Sequence, residues 1–290
     1  MAGCEESCQS EKSRRDDNCY DADPADGLPV QCVGEWAEEK KHLILRNFIQ
    51  ATEKARAKFI PPRGRGGAAF IDLFAGPGRA RVRSTGAVVD GSPLIAVKHS
   101  AAPFTNVILC DLNEANVEAL RRRTQGDPRV EVVPGDCNEN IARIVAMVPQ
   151  YGLNLALVDP YGVAAMDFES IKGLALACKR MDLLIHFPTG DMKRNIANAK
   201  ASEATKERMK RALGGGVRAV LPRDVAREIE TLRTNLAALG YTGKNVRSVP
   251  VANGQGVVMY HLVYASRDPL GDKIWDSVTA PKDQRELRLV

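Results

Sequence analysis

From Ala68 onward, short apolar runs alternate with stretches in which apolar residues recur every three or four positions. Runs of the first kind read as strands buried on both faces, and the periodic stretches as helices that cover them. The pattern predicts a mostly parallel α/β sheet. Strands are expected at 68–74, 106–111, 130–133, 155–159 and 182–187, with helices at 92–99, 114–123, 138–147 and 168–178. Ser92 before Pro93 marks a helix start, the hydroxyl capping free amides and the proline fitting the first turn. A further helix is expected over 224–239, where Val225, Ile229, Leu232 and Leu236 share one face. The last two strands, 246–251 and 257–265, flank a turn containing Ala252, Asn253 and Gly254, which predicts an antiparallel hairpin closing the sheet.

Upstream the pattern differs. Residues 1–33 carry few large apolar side chains and several Asp, Ser and Gly, and read as a flexible polar leader. Over 34–60, Ile44, Phe48, Ala51, Ala55 and Phe59 fall close to one helical face, until Pro61, Pro62 and the glycine-rich 64–67 stop it. The whole of 34–290 then forms one α/β domain, with a basic helical insert at about 190–243.

Composition narrows the setting. A chain of 290 residues with 44% hydrophobic content can bury one sizeable core. Its longest apolar runs fall far short of the roughly 20 residues that cross a bilayer, and the N-terminus lacks the apolar stretch of a secretory signal, so a cytoplasmic location is expected. Of seven cysteines, Cys110, Cys137 and Cys178 lie in apolar or element-forming segments and read as core. Cys4, Cys8, Cys19 and Cys32 match no zinc spacing and read as incidental thiols of the leader, so no metal is assigned. The net charge of +5 is modest, but its distribution is uneven. Arg79, Arg81 and Arg83 follow a glycine-rich turn, Lys193 and Arg194 follow a strand, and Lys206, Arg208, Lys210 and Arg211 crowd one short helix. Such clusters suit a phosphate backbone or, for the last, a solvated helix face.

Candidate chemistry gathers at strand ends. The first strand runs into Asp72, Leu73, Phe74, Ala75, Gly76, Pro77 and Gly78: an acid, then a turn whose glycines let a ligand lie against bare backbone. Asp111, followed by Leu112, ends the second strand, where a carboxylate can accept both hydroxyls of an adenosine ribose. Asp136 and Cys137 follow the third, with the acid placed for an adenine amino group or for a helix cap. No third glycine follows Gly78 to let a helix close over a pyrophosphate, so S-adenosylmethionine, which has no phosphate and carries a cationic amino group, is favoured over NAD. The fourth strand ends in Asp159, Pro160, Tyr161 and Gly162. There a carboxylate and a carbonyl can accept from an exocyclic amine while a ring stacks on a planar base. His186 closes the fifth strand at the same rim, placed to position a substrate or shuttle a proton, or simply to be satisfied in a half-buried strand.

Taken together, IDLFAGPGRAR (71–81), DGSPLIAVKH (90–99), CDLN (110–113), GDCNENI (135–141), LALVDPYG (155–162), MDLLIHFP (181–188) and YHLVYASRDPLGDKIW (260–275) resemble the three-Cys-motif partner family of bacteria, which itself resembles class I methyltransferases. The resemblance implies a Rossmann-like fold and S-adenosylmethionine. Asp72, Gly76 and Gly78 would surround its methionine part, Asp111 its ribose and Asp136 its adenine, with Asp159 at the reactive rim. It also implies a radical-SAM-like three-Cys-motif protein as partner. The tetrapeptide departs from the Asp-Pro-Pro-Tyr of amino-methylating enzymes and is closer to the Asp-Pro-Phe-Gly of tRNA guanine-N2 methyltransferases. The expected activity is methylation of a nucleic-acid base, with Arg79, Arg81, His186, Lys193 and Arg194 on the substrate side. The alternative is a non-catalytic nucleic-acid-binding or scaffold partner.

Overall fold

The computed structural model describes residues 19–34, 42–190, 203–214, 225–242, 246–252 and 256–280. Its main sheet has seven strands: β3 (Ala69–Asp72), β6 (Asn106–Asp111), β7 (Val130–Pro134), β8 (Asn154–Val158), β9 (Met181–Phe187), β10 (Val246–Ala252) and β11 (Val258–Ala265). They lie in the order β10-β11-β9-β8-β3-β6-β7. β9, β8, β3, β6 and β7 pair in parallel, while β11 is antiparallel to both β9 and β10. This is the Rossmann-like, mostly parallel architecture closed by an antiparallel hairpin that the alternating pattern predicts; the tip of that hairpin, 253–255, lies outside the described residues. Because the chain leaves β3 toward β7 and then returns to β8 on the other side, the crevice between the ends of β3 and β8 is the switch point where such sheets take ligands.

Strand residues alternate between two cores. Ile71, Ile108, Ala156 and Ile185 face one, and Phe70, Leu109, Leu157 and Leu184 the other. The second core is capped by α1 (Leu43–Ala51), which runs into the single turn α2 (Glu53–Arg56), together with α3 (Ser92–Lys98) and α9 (Pro269–Thr279). On the first lie α5 (Cys137–Ala146), α6 (Phe168–Ala177) and α8 (Val225–Ala238), while α4 (Glu114–Arg123) follows β6 and α7 (Glu203–Ala212) lies beyond β9. Among the described residues no helix is long and apolar enough to cross a membrane.

Three expectations are corrected. The N-terminal helix buries Leu45, Phe48 and Ile49, not the stripe through Ala51 and Ala55. Thr52 breaks its phase by bonding its hydroxyl back to the Phe48 and Ile49 carbonyls, and Arg56 turns inward. That guanidinium donates to the carbonyls of Ala102 and Ile49 and to the hydroxyls of Thr52 and Ser100, so it stays satisfied although burial lowers its pKa to about 10. Ser92 does not cap α3; Gly91 is the N-cap, and its N–H donates to Gly78 O at 2.9 Å.

The third correction is the leader. Residues 20–33 are not flexible: β1 (Tyr20–Ala22) and β2 (Pro29–Val33) join β4 (Arg79–Val82) and β5 (Val88–Asp90) in a second sheet, ordered β1-β2-β4-β5. It buries only small or medium apolar residues, among them Cys19, Leu28, Val30 and Cys32, and charge anchors the rest. Asp23 meets Arg79 at 2.8 Å and Arg123 at 3.3 Å, and Asp21 meets Arg81 at 3.2 Å. Polar composition concealed this because ion pairs between distant segments leave no periodicity.

One half-buried acid sets a pH dependence. Asp182 of β9 accepts from Tyr264 Oη at 2.8 Å and, between β8 and β11, burial pushes its pKa from 3.8 to about 6. The folded state therefore binds the extra proton between those values, so the carboxylate lowers stability above about pH 6 and ceases to do so as pH falls toward 4. Asp182→Asn, which keeps an oxygen for Tyr264, is expected to be more stable than the parent at pH 7.5 by on the order of 2 kcal/mol. Thermal melts should show that gap closing on acidification; a gap constant from pH 8 to 4 would contradict the assignment.

Candidate active site

The site grows from the turn after β3. Gly76 (φ +62) and Gly78 (φ +88) hold left-handed backbone, and a Cβ on Gly78 would sit 3.3 Å from Leu120 Cδ2, so a side chain there is both strained and crowded. Asp111, from the neighbouring β6, accepts the Gly76 N–H through Oδ2 at 2.7 Å. Its Oδ1 accepts from Asn113 N at 2.9 Å and from Asn116 Nδ2 at 3.0 Å. Arg123 donates to Pro77 O at 2.6 Å from below. The turn is thus rigid before any ligand arrives. No helix follows it directly: the β4–β5 hairpin intervenes, and α3 begins only at Ser92.

Around the turn opens a cavity of about 930 Å³. Phe74, Gly76 and Gly78 form one part of its wall, and Asp111, Leu112, Asp136 and Cys137 another. Leu112 is 73% exposed, a bare apolar side chain beside a carboxylate. Asp136 caps α5, its Oδ1 accepting from Asn138 N at 2.8 Å, and Asn138 in turn donates to Ala165 O at 3.1 Å, tying the helix start to the turn after β8. The Cys137 thiol is pushed up by burial, which keeps it protonated and inert. Asp159, Pro160, Tyr161 and His186 line the opposite part.

Two predicted site residues do not reach the cavity wall. Asp72 is 0% exposed and lies beneath the turn, where Oδ1 accepts from Phe74 N at 3.2 Å; it braces the loop rather than meeting a ligand. Arg81 points to the small sheet, pairing with Asp21 and donating to Ala22 O. Arg79 lines the cavity, but its guanidinium is engaged by Asp23 and Asp90, and the Asp23 hydrogen bond raises its pKa. Both arginines hold the strands of the small sheet to one another, their acids coming from β1, the β1–β2 loop and β5. Lys193 and Arg194 lie outside the described residues.

Other contributors stand outside the site residues predicted from the sequence, although Arg208 and Arg211 belong to the basic cluster noted there. Gln31 of β2 donates to Tyr161 Oη at 2.7 Å, so the small sheet roofs the cavity and holds the tyrosine. Tyr20 accepts from Asn116 Nδ2 at 3.1 Å. Arg208 and Arg211, three apart on α7, both line the cavity, and neither makes an ion pair among the described residues, whereas Lys210 between them pairs with Glu207 at 3.3 Å. α7 is held firmly: Ala212 and Leu213 are fully buried, and Asn235 donates to the Leu213 carbonyl. The helix packs on the turn Val163–Ala165, just after Tyr161, which puts this basic pair on the β8–β9 half of the crevice.

No protein-family model matches the chain, and no curated protein matches it. Solved structures similar to it include a Legionella pneumophila protein at 12% identity (82% of this chain, 91% of that one, TM-score 0.46). Cofactor-bound Rv0187 from MTB shows 11% identity (79% and 80%, TM-score 0.45). TYW2 of M. jannaschii, in complex with AdoMet, shows 12% identity (85% and 80%, TM-score 0.39). At these values the likenesses add nothing to the strand order, on which the fold assignment stands.

Proposed function

We propose that this chain binds S-adenosylmethionine and transfers its methyl group to an exocyclic amine of a nucleic-acid base, in kinship with the three-Cys-motif partner proteins. The observation that carries the reading is the Asp111–Leu112 pair beside the positive-φ glycine turn, at the adjacent ends of β6 and β3. A carboxylate next to an exposed apolar side chain suits a ribose diol followed by the face of a purine. The cavity volume of about 930 Å³ accommodates a nucleoside with a methionine arm and leaves room for an acceptor. Gly76 and Gly78 keep the approach to that arm free of side chains, and the rigid turn limits the ordering cost of binding.

When bound, the cofactor supplies an electrophilic methyl on a sulfonium. The chain's residues do the placing. Asp159 and the Pro160 carbonyl stand at the end of β8 to accept from an amine, and Tyr161, held by Gln31, offers a ring to a planar base. Alignment in a cavity closed by the small sheet accounts for most of the acceleration. The test is incubation with methyl-labelled S-adenosylmethionine and mixed RNA or DNA. Label passes to nucleic acid with the parent chain and not with Asp159→Ala; absence of transfer, or transfer undiminished in the variant, counts against the reading.

With Arg79 and Arg81 engaged elsewhere, Arg208 and Arg211, together with Arg83, are the arginines that line the cavity without an ion pair among the described residues, and the α7 pair is the one beside Tyr161. The double variant Arg208→Ala/Arg211→Ala is expected to weaken single-stranded oligonucleotide binding at least about tenfold and to flatten the slope of log affinity against log salt by about 1.4. Its affinity for S-adenosylhomocysteine should not change. An unaltered slope would remove these arginines from the acceptor site; a loss of S-adenosylhomocysteine affinity would assign them to the cofactor's carboxylate.

A further inference from the structure

Orienting an amine requires only acceptors, yet the rim also carries an imidazole. β8 and β9 run parallel with Val158 opposite Ile185, so the next residues, Asp159 and His186, stand side by side. His186 Nδ1 is hydrogen-bonded to Asp159 Oδ1. On β11, Tyr260 lies against the imidazole, with ring centroids 3.7 Å apart and planes at 51°, which fixes the ring from the sheet side. A carboxylate oxygen accepts, so Nδ1 carries the proton and the lone pair is left on Nε2. Nε2 has no hydrogen-bond partner among the described residues, and both side chains line the cavity. Among the described residues the titratable groups against the ring are Asp159 and Tyr260, and His42 and Tyr161 also line the cavity. Burial, reinforced by the Asp159 charge, pushes the Tyr260 phenol far above its ordinary value, so it remains neutral and does not compete as a base.

We infer that His186, oriented by Asp159, takes the proton that the methyl acceptor sheds, which makes the acceptor an X–H group rather than a thioether or a preformed anion. This rests on the methyl-transfer reading above and deepens it. In the step, the lone pair of X forms the bond to the methyl carbon. The carbon–sulfur bond breaks with its pair going to sulfur, and the proton of X passes to His186 Nε2. The imidazolium so formed lies against the Asp159 carboxylate, which balances its charge until the proton leaves to solvent. His186 is then the catalytic base and Asp159 its positioning residue. A solely structural role would satisfy a buried imidazole in the same way but would not require a particular nitrogen to be free.

Two measurements separate these roles. Nitrogen-15 NMR of the histidine-labelled full chain without ligand, with His186 identified by its loss in His186→Gln, is expected to show the Nδ1–H tautomer for the neutral form of the ring, a preference abolished in Asp159→Asn. Protonation on Nε2 overturns the inference. In the second, His186→Gly is expected to lose at least about 100-fold in methyl transfer to mixed-sequence single-stranded RNA or DNA and to regain part of it with added imidazole. Its affinity for S-adenosylhomocysteine should stay within about twofold of the parent's. Transfer at the parental rate, or a loss that imidazole does not relieve, overturns the inference while leaving methyl transfer standing. A parent chain that binds no S-adenosylhomocysteine removes the methyl-transfer reading instead, and the nitrogen-15 spectrum still decides the tautomer.

Discussion

Asp111→Ala is expected to lose at least about 100-fold in affinity for S-adenosylhomocysteine, roughly 2.7 kcal/mol. Two effects combine. The variant removes the acid that would take the ribose hydroxyls, each charge-assisted bond contributing about 1.5–3 kcal/mol. It also frees the Gly76 N–H, the Asn113 N–H and the Asn116 amide, which the carboxylate now holds at 2.7, 2.9 and 3.0 Å, so the glycine turn loses its preorganisation. Calorimetry measures the affinity, and a thermal melt shows whether the fold survives. Asp111→Asn, which retains one acceptor oxygen, should fall between the parent and the alanine variant. Parental affinity in Asp111→Ala would place the nucleoside elsewhere.

The second large effect concerns stability. Arg123, at the end of α4, has a side chain only 3% exposed and donates to both Asp26 oxygens at 2.9 Å, to Pro29 O at 2.8 Å and to Pro77 O at 2.6 Å. It therefore links the small sheet, the main sheet and the glycine turn. In Arg123→Met the apolar stem is kept, but among the described residues Asp23, 1% exposed, retains only Arg79 as an ion-pair partner, and three carbonyls, those of Leu28, Pro29 and Pro77, lose a donor. Breaking one side of a buried pair costs about 3–5 kcal/mol. Hydrogen exchange should localise the loss to amides of β2 and β4, and cofactor affinity should fall with it because the turn is undocked. Protection of β2 equal to the parent's would mean that the apolar contacts of Val30 and Cys32 suffice to hold that sheet.

What the sequence revealed follows from the range of each interaction. Strands such as 106–111 and helices such as 114–123 were legible to the residue because both faces of the sheet are buried and the local period is uninterrupted. The acids at strand ends were legible for the same reason: once the strands are placed, their carboxyl ends are placed too. The second sheet was not, since β1 and β2 bury few apolar residues and are held by Arg79, Arg81 and Arg123, whose partners lie 56 to 100 positions away. That omission also misassigned Arg79 and Arg81 to a substrate and hid Gln31, whose contact with Tyr161 spans 130 positions. Arg208 and Arg211 were visible as a basic cluster, but only the docking of α7 separates this inward pair from Lys210. α9 carries local signals in Asp268 as its cap and Pro269 in its first turn, while the stacking of Trp275 on Tyr264 at 4.9 Å that docks it is a tertiary contact.

Occupation of the crevice beside Gly76 and Asp111 by one nucleoside is tested most directly by titration calorimetry of the full chain with S-adenosylhomocysteine, run in parallel with NAD. Saturable binding of one S-adenosylhomocysteine per chain, lost in Asp111→Ala and absent with NAD, is the predicted result. No binding of S-adenosylhomocysteine, or binding of NAD at that crevice in its place, would contradict it.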